Sequence, residues 1–532
     1  MSPGIERALA VTVTDVRARL RRPASAWLLA ALALAAYFTV PPPSAGHGLF
    51  VIDGARARYT SEALACATGT LLPLFLGLFG FYVVSRAIGH DAQTRVGPLV
   101  AATPVRRTEY LLGKLLGSAV ILGAVTAGFL VCIMGMHLVR GEGPLRPHVY
   151  VACYLVIGLP CILGVAAFAL LFESVPGLGG RAGDVLYFFV WLFTLPIGAE
   201  VWKGLPTGEP GWGRFFDSGG LGFAVRQIAR ATGSSAFTVG ATPYDVTKPP
   251  VEFPGLSFTP AMLAWRAESL LLPAVLVLAS MARFHRFDPA RSRPGAAHAR
   301  WSPFALARAL ARPLSRLLVA AVDRPGLASR GSPAVRSLVA EVLLTARLNP
   351  LFVLAAVVAA VLAATLPLPA LRAGALPVLT ALLVPLLADP PVRERQAGVT
   401  GIVYVAPAFR RRLVSLKLAT AASVALLVTL APALRFLVEQ PAVAVSLVVG
   451  SLLLASASVL LGVATSSPKP FLALGLGFWY VALSAGEHVP ALDFAGFAAA
   501  ATPTVQVSYA VAVALVAVAA VALGRLQERL TD

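Results

Sequence analysis

Two loops carry the charged residues whose types and spacing could do chemistry. The first holds Asp91, Pro104, Arg106, Arg107 and Lys114; the second holds Glu394, Pro407, Arg410, Arg411 and Lys417. One offset of 303 residues sets Asp91 on Glu394, Pro104 on Pro407, Arg107 on Arg410 and Lys114 on Lys417 without a gap. The chemistry this suits is binding. Proline fits the first turn of a helix. The arginines put positive charge near a membrane surface, and a lysine opening an apolar run can snorkel to the headgroups. Such a short cationic helix suits a protein partner and a phospholipid surface alike. A preference for basic cytoplasmic loops explains the Arg and Lys. It does not explain the acid-to-Pro-to-Lys spacing, which reads as an internal repeat.

Catalytic patterns are missing. A phosphate-binding loop needs Gly-x-x-x-x-Gly-Lys-Ser/Thr so that backbone amides can cradle phosphate. Here Gly113-Lys114 is followed by Leu115, and position 108 is Thr. The seven histidines are scattered with no HExxH, and no Gly-x-Ser-x-Gly elbow presents a nucleophilic serine. Cys66, Cys132, Cys153 and Cys161 lie in apolar stretches with no CxxC spacing and read as small core residues.

The elements that position these loops follow from composition. Of 532 residues, 58% are hydrophobic and 13% charged, against about a quarter charged in a soluble domain. That excludes a soluble enzyme, a disordered chain and a disulfide scaffold, and leaves an integral membrane protein. Uncharged runs cover 63–85, 115–136, 149–172, 351–371, 441–467 and 494–524. Shorter ones cover 26–40, 185–199, 270–282, 373–388, 418–434 and 470–485. Only helices satisfy the backbone at that depth without closing a barrel. The expected fold is therefore an all-α polytopic membrane protein with about twelve transmembrane helices, arranged as two six-helix repeats.

Charge sets the expected orientation. The net charge of +19 reads as basic flanks of membrane spans, with no nucleic-acid module in sight. Residues 1–25 and 86–114 each carry +3, and 283–347 carries +9, whereas 203–252 carries +1. The basic segments face the cytoplasm and the 203–265 segment faces outside. Both termini are then cytoplasmic, in a multi-pass protein of the cytoplasmic (inner) membrane. The arginine-rich entry to 26–40 reads as an uncleaved first span, because a similar entry recurs before Leu351. Glu173, Asp184, Glu200, Lys203, Arg266, Glu268 and Arg435 stand at span ends, and Glu200 and Glu268, flanking the outer segment, read as interfacial. Segment 203–265, with its aromatics and an amphipathic helix near Leu221–Ala231, reads as an anchor at the outer interface.

The stretch from Asp91 through Thr103-Pro104-Val105-Arg106-Arg107-Thr108-Glu109-Tyr110-Leu111-Leu112-Gly113-Lys114 resembles the loop of ABC-2 type transporter permeases. The resemblance covers most of 1–290 and, more weakly, 335–532. It implies six-span units that each begin with a cytoplasmic amphipathic helix. It also implies that the loop between spans two and three is a coupling helix touching a separate ATP-binding subunit. In the second copy Phe409 stands at the place of Arg106 and Ala406 at that of Thr103. The implied domains are a first permease unit at 1–283, an Arg/Pro-rich cytoplasmic linker at 284–337, and a second unit at 338–532. The implied partners are two ABC ATP-binding subunits, membrane lipid and an unknown transported substrate moving along a pathway between the units. ATP and Mg would sit in the partner, with no cofactor or metal in this chain and no enzymatic activity of its own. The implied docking residues are Asp91, Pro104, Arg106, Arg107, Lys114, Glu394, Pro407, Arg410, Arg411 and Lys417. An ion-gradient-driven secondary transporter and a non-transporting membrane scaffold are the alternative readings.

Overall fold

A computed structural model describes residues 3–20, 24–94, 96–175, 178–202, 211–285, 287, 309, 311–313, 316, 320, 332–399, 407–486 and 489–531. The chain divides into two compact units, Met1–Trp301 and Ser302–Asp532. The expected linker 284–337 lies largely outside the described residues, as do Arg95 and 400–406.

Unit one opens with α1 (Pro3–Leu20) and α2 (Ala24–Thr39). Strands β1 (His47–Ile52) and β2 (Ala55–Arg56) follow, then α3 (Ser61–Phe75), which runs through a π turn at Leu76–Gly80 into α4 (Phe81–Val84). Next come α5 (Ala87–Gln93), α6 (Val96–Ala102), α7 (Arg107–Arg140), α8 (Pro147–Ser174) and α9 (Arg181–Trp202). The unit closes with α10 (Leu221–Thr232), β3 (Phe237–Pro243), α11 (Pro260–Glu268) and α12 (Leu271–Arg283). The helix over 221–231 is present, and Phe223, Ala224, Ile228 and Ala229 on it are buried.

Unit two runs α13 (Pro333–Leu348), α14 (Leu351–Thr365), α15 (Leu368–Ala370), a π turn at Leu371–Ala375 and α16 (Leu376–Leu387). Then follow α17 (Arg393–Gln396), α18 (Pro407–Glu439), α19 (Pro441–Thr465), α20 (Lys469–Ala485) and α21 (Pro503–Thr531).

The chain is a polytopic helical protein of membrane character. Among the described residues, eight helices are long and apolar enough to cross a bilayer, and nine if Pro333–Leu348 and Leu351–Thr365, bent by 93°, count as one span. Twelve such helices were expected, and the shortfall has local causes. The run 351–371 stops at Thr365, because Pro367 cannot continue a helix. The run 494–524 does supply one of the eight, although its helix begins only at Pro503, after a loop tied to the buried Asp493, whose carboxylate accepts from Ala498 N at 3.3 Å and Ala500 N at 2.9 Å. Helices 24–39 and 469–485 have only 16 and 17 residues.

Strand structure was not foreseen. The order is β2-β1-β3, all antiparallel, with Val51 opposite Arg56 and Thr238. Asp53 and Gly54, at φ 49° and 81°, turn the β1–β2 hairpin. Two successive positive φ values match the twist of the flanking strands, and glycine takes the second without a Cβ clash.

Polar and apolar links join the elements at both ends of each unit. In unit one, the sheet end joins Arg56 to Glu142 by two bonds of 2.7 and 2.9 Å, and Glu142 also accepts from Tyr59 N at 2.9 Å. Tyr244 Oη donates to Pro43 O at 2.9 Å there. At the opposite end, Ile88, Tyr110, Leu111, Leu170 and Phe284 form a buried apolar cluster with Val11, Val100 and Phe287 against it. In unit two, Arg435 donates to Ala363 O at 2.9 Å and Arg372 to Gln440 at 3.3 Å at one end. At the other, Arg395 donates to Val463 O at 3.2 Å and to Gln527 at 2.8 Å.

Candidate functional site

The two loops singled out by their spacing each meet a buried lysine. In unit one the cause begins in α1, where Ala8, Thr12, Asp15 and Arg19 fall on one helical stripe. That stripe lies on α7 at two glycines one turn apart: Thr12 Oγ1 donates to Gly113 O at 3.1 Å, and Gly117 faces Asp15. Small residues at this spacing let two helix backbones approach closely. Asp15 thereby reaches Lys114, whose Nζ stands 2.8 Å from Asp15 Oδ1 and 2.9 Å from Asp91 Oδ2. Arg19 pairs with Asp15 at 2.8 Å, and Tyr110 Oη donates to Asp91 at 2.7 Å.

Asp91 is placed by a carboxylate from another helix. Glu173, at the end of α8, accepts from Ala87 N, Ile88 N and Gly89 N at 2.8, 2.6 and 2.9 Å. Those three amides are the unpaired first donors of α5, and a negative charge suits a helix N-terminus. Arg86, at φ 77°, makes the sharp break between α4 and α5.

Unit two builds the same contact from different surroundings. Lys417 Nζ stands 3.1 Å from Glu341 Oε2, on α13, and is hydrogen-bonded to Glu394, on α17. Arg393 pairs with Glu341 and lies 3.6 Å from Glu394. The lysine side chains are 5% and 3% exposed. A lone ammonium at such a depth would cost several kcal/mol of lost hydration. Two carboxylates against two cations leave each cluster near neutral, which makes the burial tenable.

The expectations for single residues divide. Asp91 meets Lys114, and Glu394 meets Lys417. The snorkelling role expected for the lysines is corrected: Lys114 lies two turns inside α7, where Asp15 and Asp91 hold it away from any headgroup. Pro104 does not open a helix. It sits in the link before α7, exposed, and its carbonyl accepts from Arg7 Nη1 at 3.0 Å. Pro407 does open α18. Arg106 and Arg107 are exposed at the start of α7, outside the cluster. Arg106 N donates to Glu109 Oε2 at 2.9 Å, and Arg7 reaches the same carboxylate at 3.3 Å. Arg410 and Arg411 lie in the first turn of α18, with side chains outside the description. Arg266, expected only as a charge at a span end, is buried.

Sequence reasoning missed Asp15, Arg19, Glu341, Arg393 and Glu173 as members of these sites. A partial signal existed: Asp15 and Glu341 are carboxylates on basic amphipathic stretches, and Lys114 and Lys417 each open an apolar run elsewhere in the chain. Comparison with known proteins finds no family model that matches the chain and no curated protein that matches it in sequence.

Proposed function

We propose that this chain is the membrane-spanning permease subunit of an ATP-driven transporter of the ABC-2 type. It exports an unidentified substrate across the cytoplasmic membrane, and separate ATP-binding subunits dock on the 91–114 and 394–417 loops. One observation carries the reading. In each unit, a loop between two long apolar helices is fastened by a buried lysine to an amphipathic helix, Asp15–Lys114–Asp91 in one and Glu341–Lys417–Glu394 in the other. In unit one the cations Arg106 and Arg107 remain exposed beside it. A fixed loop bearing free positive charge suits a load-bearing contact with another protein better than a loose lipid anchor does.

The apolar runs support twelve crossings in two repeats. Helices 24–39 and 181–202 of unit one, and 351–365 and 469–485 of unit two, are taken as the further passes. Counted with the long helices, they make six passes per unit. With the basic 86–114 loop cytoplasmic, both termini are cytoplasmic and the three-stranded sheet lies outside.

The test is affinity purification of the full chain in mild detergent. A P-loop ATPase that hydrolyses ATP is expected to co-purify with the wild type. The Arg106→Glu/Arg107→Glu variant is expected to lose it while keeping the wild-type melting temperature. Retention of the ATPase with undiminished hydrolysis in that variant would overturn the docking assignment.

A further inference from the structure

The geometry points to Lys114 and Lys417 as positioning residues, each locking an amphipathic helix to its neighbouring loop so that the two shift as one body. This deepens the permease reading and rests on it for its purpose, though the lock itself is a property of the chain alone.

Charge balance is the first argument. The unit-one cluster sets Asp15 and Asp91 against Lys114 and Arg19; the unit-two cluster sets Glu341 and Glu394 against Lys417 and Arg393. The second cation comes from the amphipathic helix in one unit and from the loop in the other. The shared feature is therefore a lysine gripping one carboxylate from the helix and one from the loop. Sliding either element away from the other strands a carboxylate without its lysine, in a place where water does not replace it.

The second argument is a second grip. Arg7, near the start of α1, holds the Pro104 carbonyl and Glu109. Helix α1 thus meets the loop region through Lys114, which also holds Asp91, and directly at the Pro104–Glu109 corner beside the exposed Arg106-Arg107. A push on that corner meets α1 directly.

The third is what α1 presents elsewhere. Ile5, Leu9, Val13 and Leu20 are exposed along one stripe, 53%, 40%, 44% and 56% open. Such a stripe suits the apolar boundary of a bilayer. Lys114 joins this stripe-bearing helix to the loop, so that a displacement of the loop drags a helix seated in lipid.

Hydrogen exchange of the full-length protein in nanodiscs tests the lock. Two variants are needed, because Lys114→Met alone leaves two buried carboxylates and risks misfolding. The neutral variant Asp15→Asn/Arg19→Met/Asp91→Asn/Lys114→Met removes the four charges together; Lys114→Arg keeps them. In the neutral variant, amides of 3–20 and 87–102 should both exchange roughly tenfold faster or more, while those of 147–174 keep wild-type protection. Lys114→Arg should restore both segments. Wild-type protection in both segments of the neutral variant overturns the lock. So does acceleration spread evenly over unit one, which marks a plain folding role. Failure of any ATPase to co-purify with the wild type would remove the docking reading and leave this exchange result standing.

Discussion

Arg266 Nε donates to the carbonyl of Val156 at 3.1 Å. That carbonyl is free because Pro160, four residues on, has no N–H to offer it. The same guanidinium reaches Ile157 O and Ser218 O at 2.9 Å each, Asp217 O, and Ser269 Oγ at 2.8 Å. One arginine thus repairs a proline break in α8 and fastens it to the loop before α10. The Asp217 carboxylate caps that helix by accepting from Gly220 N and Phe223 N at 2.9 and 2.8 Å. Burial pushes this carboxyl above its ordinary range, against the pull of Arg266 and the amides.

Arg266→Met should destabilise unit one by about 3 kcal/mol, since it strands several buried carbonyls at once. Pro160→Ala returns a helical N–H to Val156. In that background the cost of Arg266→Met should fall by about 1 kcal/mol, the worth of one hydrogen bond. Thermal unfolding of the four proteins in detergent measures the cycle. Strictly additive losses would show that Arg266 does not serve the proline break.

The sheet end predicts an acid dependence. Hydrogen bonds from Arg56, opposed in part by burial, hold Glu142 below its ordinary value of 4.5. A carboxylate with a depressed folded pKa adds stability that is fully present above that ordinary value. The stability is lost as pH falls through the folded pKa. Arg56 stays protonated throughout, so the window belongs to Glu142. Its side chain is 32% exposed, and solvent screening trims the term to about 1 kcal/mol. Wild type minus Glu142→Gln, compared by unfolding temperature at pH 7 and pH 3, should show a gap at the higher pH that closes at the lower. A gap of equal size at both would assign the effect to packing.

What the sequence made legible was whatever repeats or is periodic. The 303-residue offset picked out Asp91, Lys114, Glu394 and Lys417, and apolar runs located the long helices. Pairing across distance was not legible. Asp15 and Lys114 are 99 residues apart, and nothing in either neighbourhood states that a lysine in an apolar run will turn inward to a helix rather than outward to lipid. The sheet was missed for the same reason, since β3 lies far along the chain from β1. Its hairpin did carry a signal in Asp53-Gly54 after Phe50-Val51-Ile52. Arg266 was legible only as a charge at a span end, because that is local information, whereas the broken carbonyl it serves is on another helix.

The approach of α1 to α7 supplies the last prediction, with its control in the same helix. A Cβ at Gly113 would stand 2.7 Å from Val11 Cβ and 2.8 Å from Ala8 O, whereas one at Gly123 meets nothing within 4 Å. Backbone oxygen and a β-branched Cβ have no flexible end to give way, so Gly113→Ala must push α1 outward. That shift lengthens Thr12 to Gly113 and Asp15 to Lys114 together, at about 1–3 kcal/mol for the overpacking. Gly123→Ala should instead be neutral or stabilising by up to about 1 kcal/mol, because alanine is the better helix former. Unfolding temperature and the rate of proteolysis within 3–20 measure both. Equal behaviour of the two variants would mean that α1 does not depend on the glycine contact, and Lys114 and Arg7 would then have to hold it.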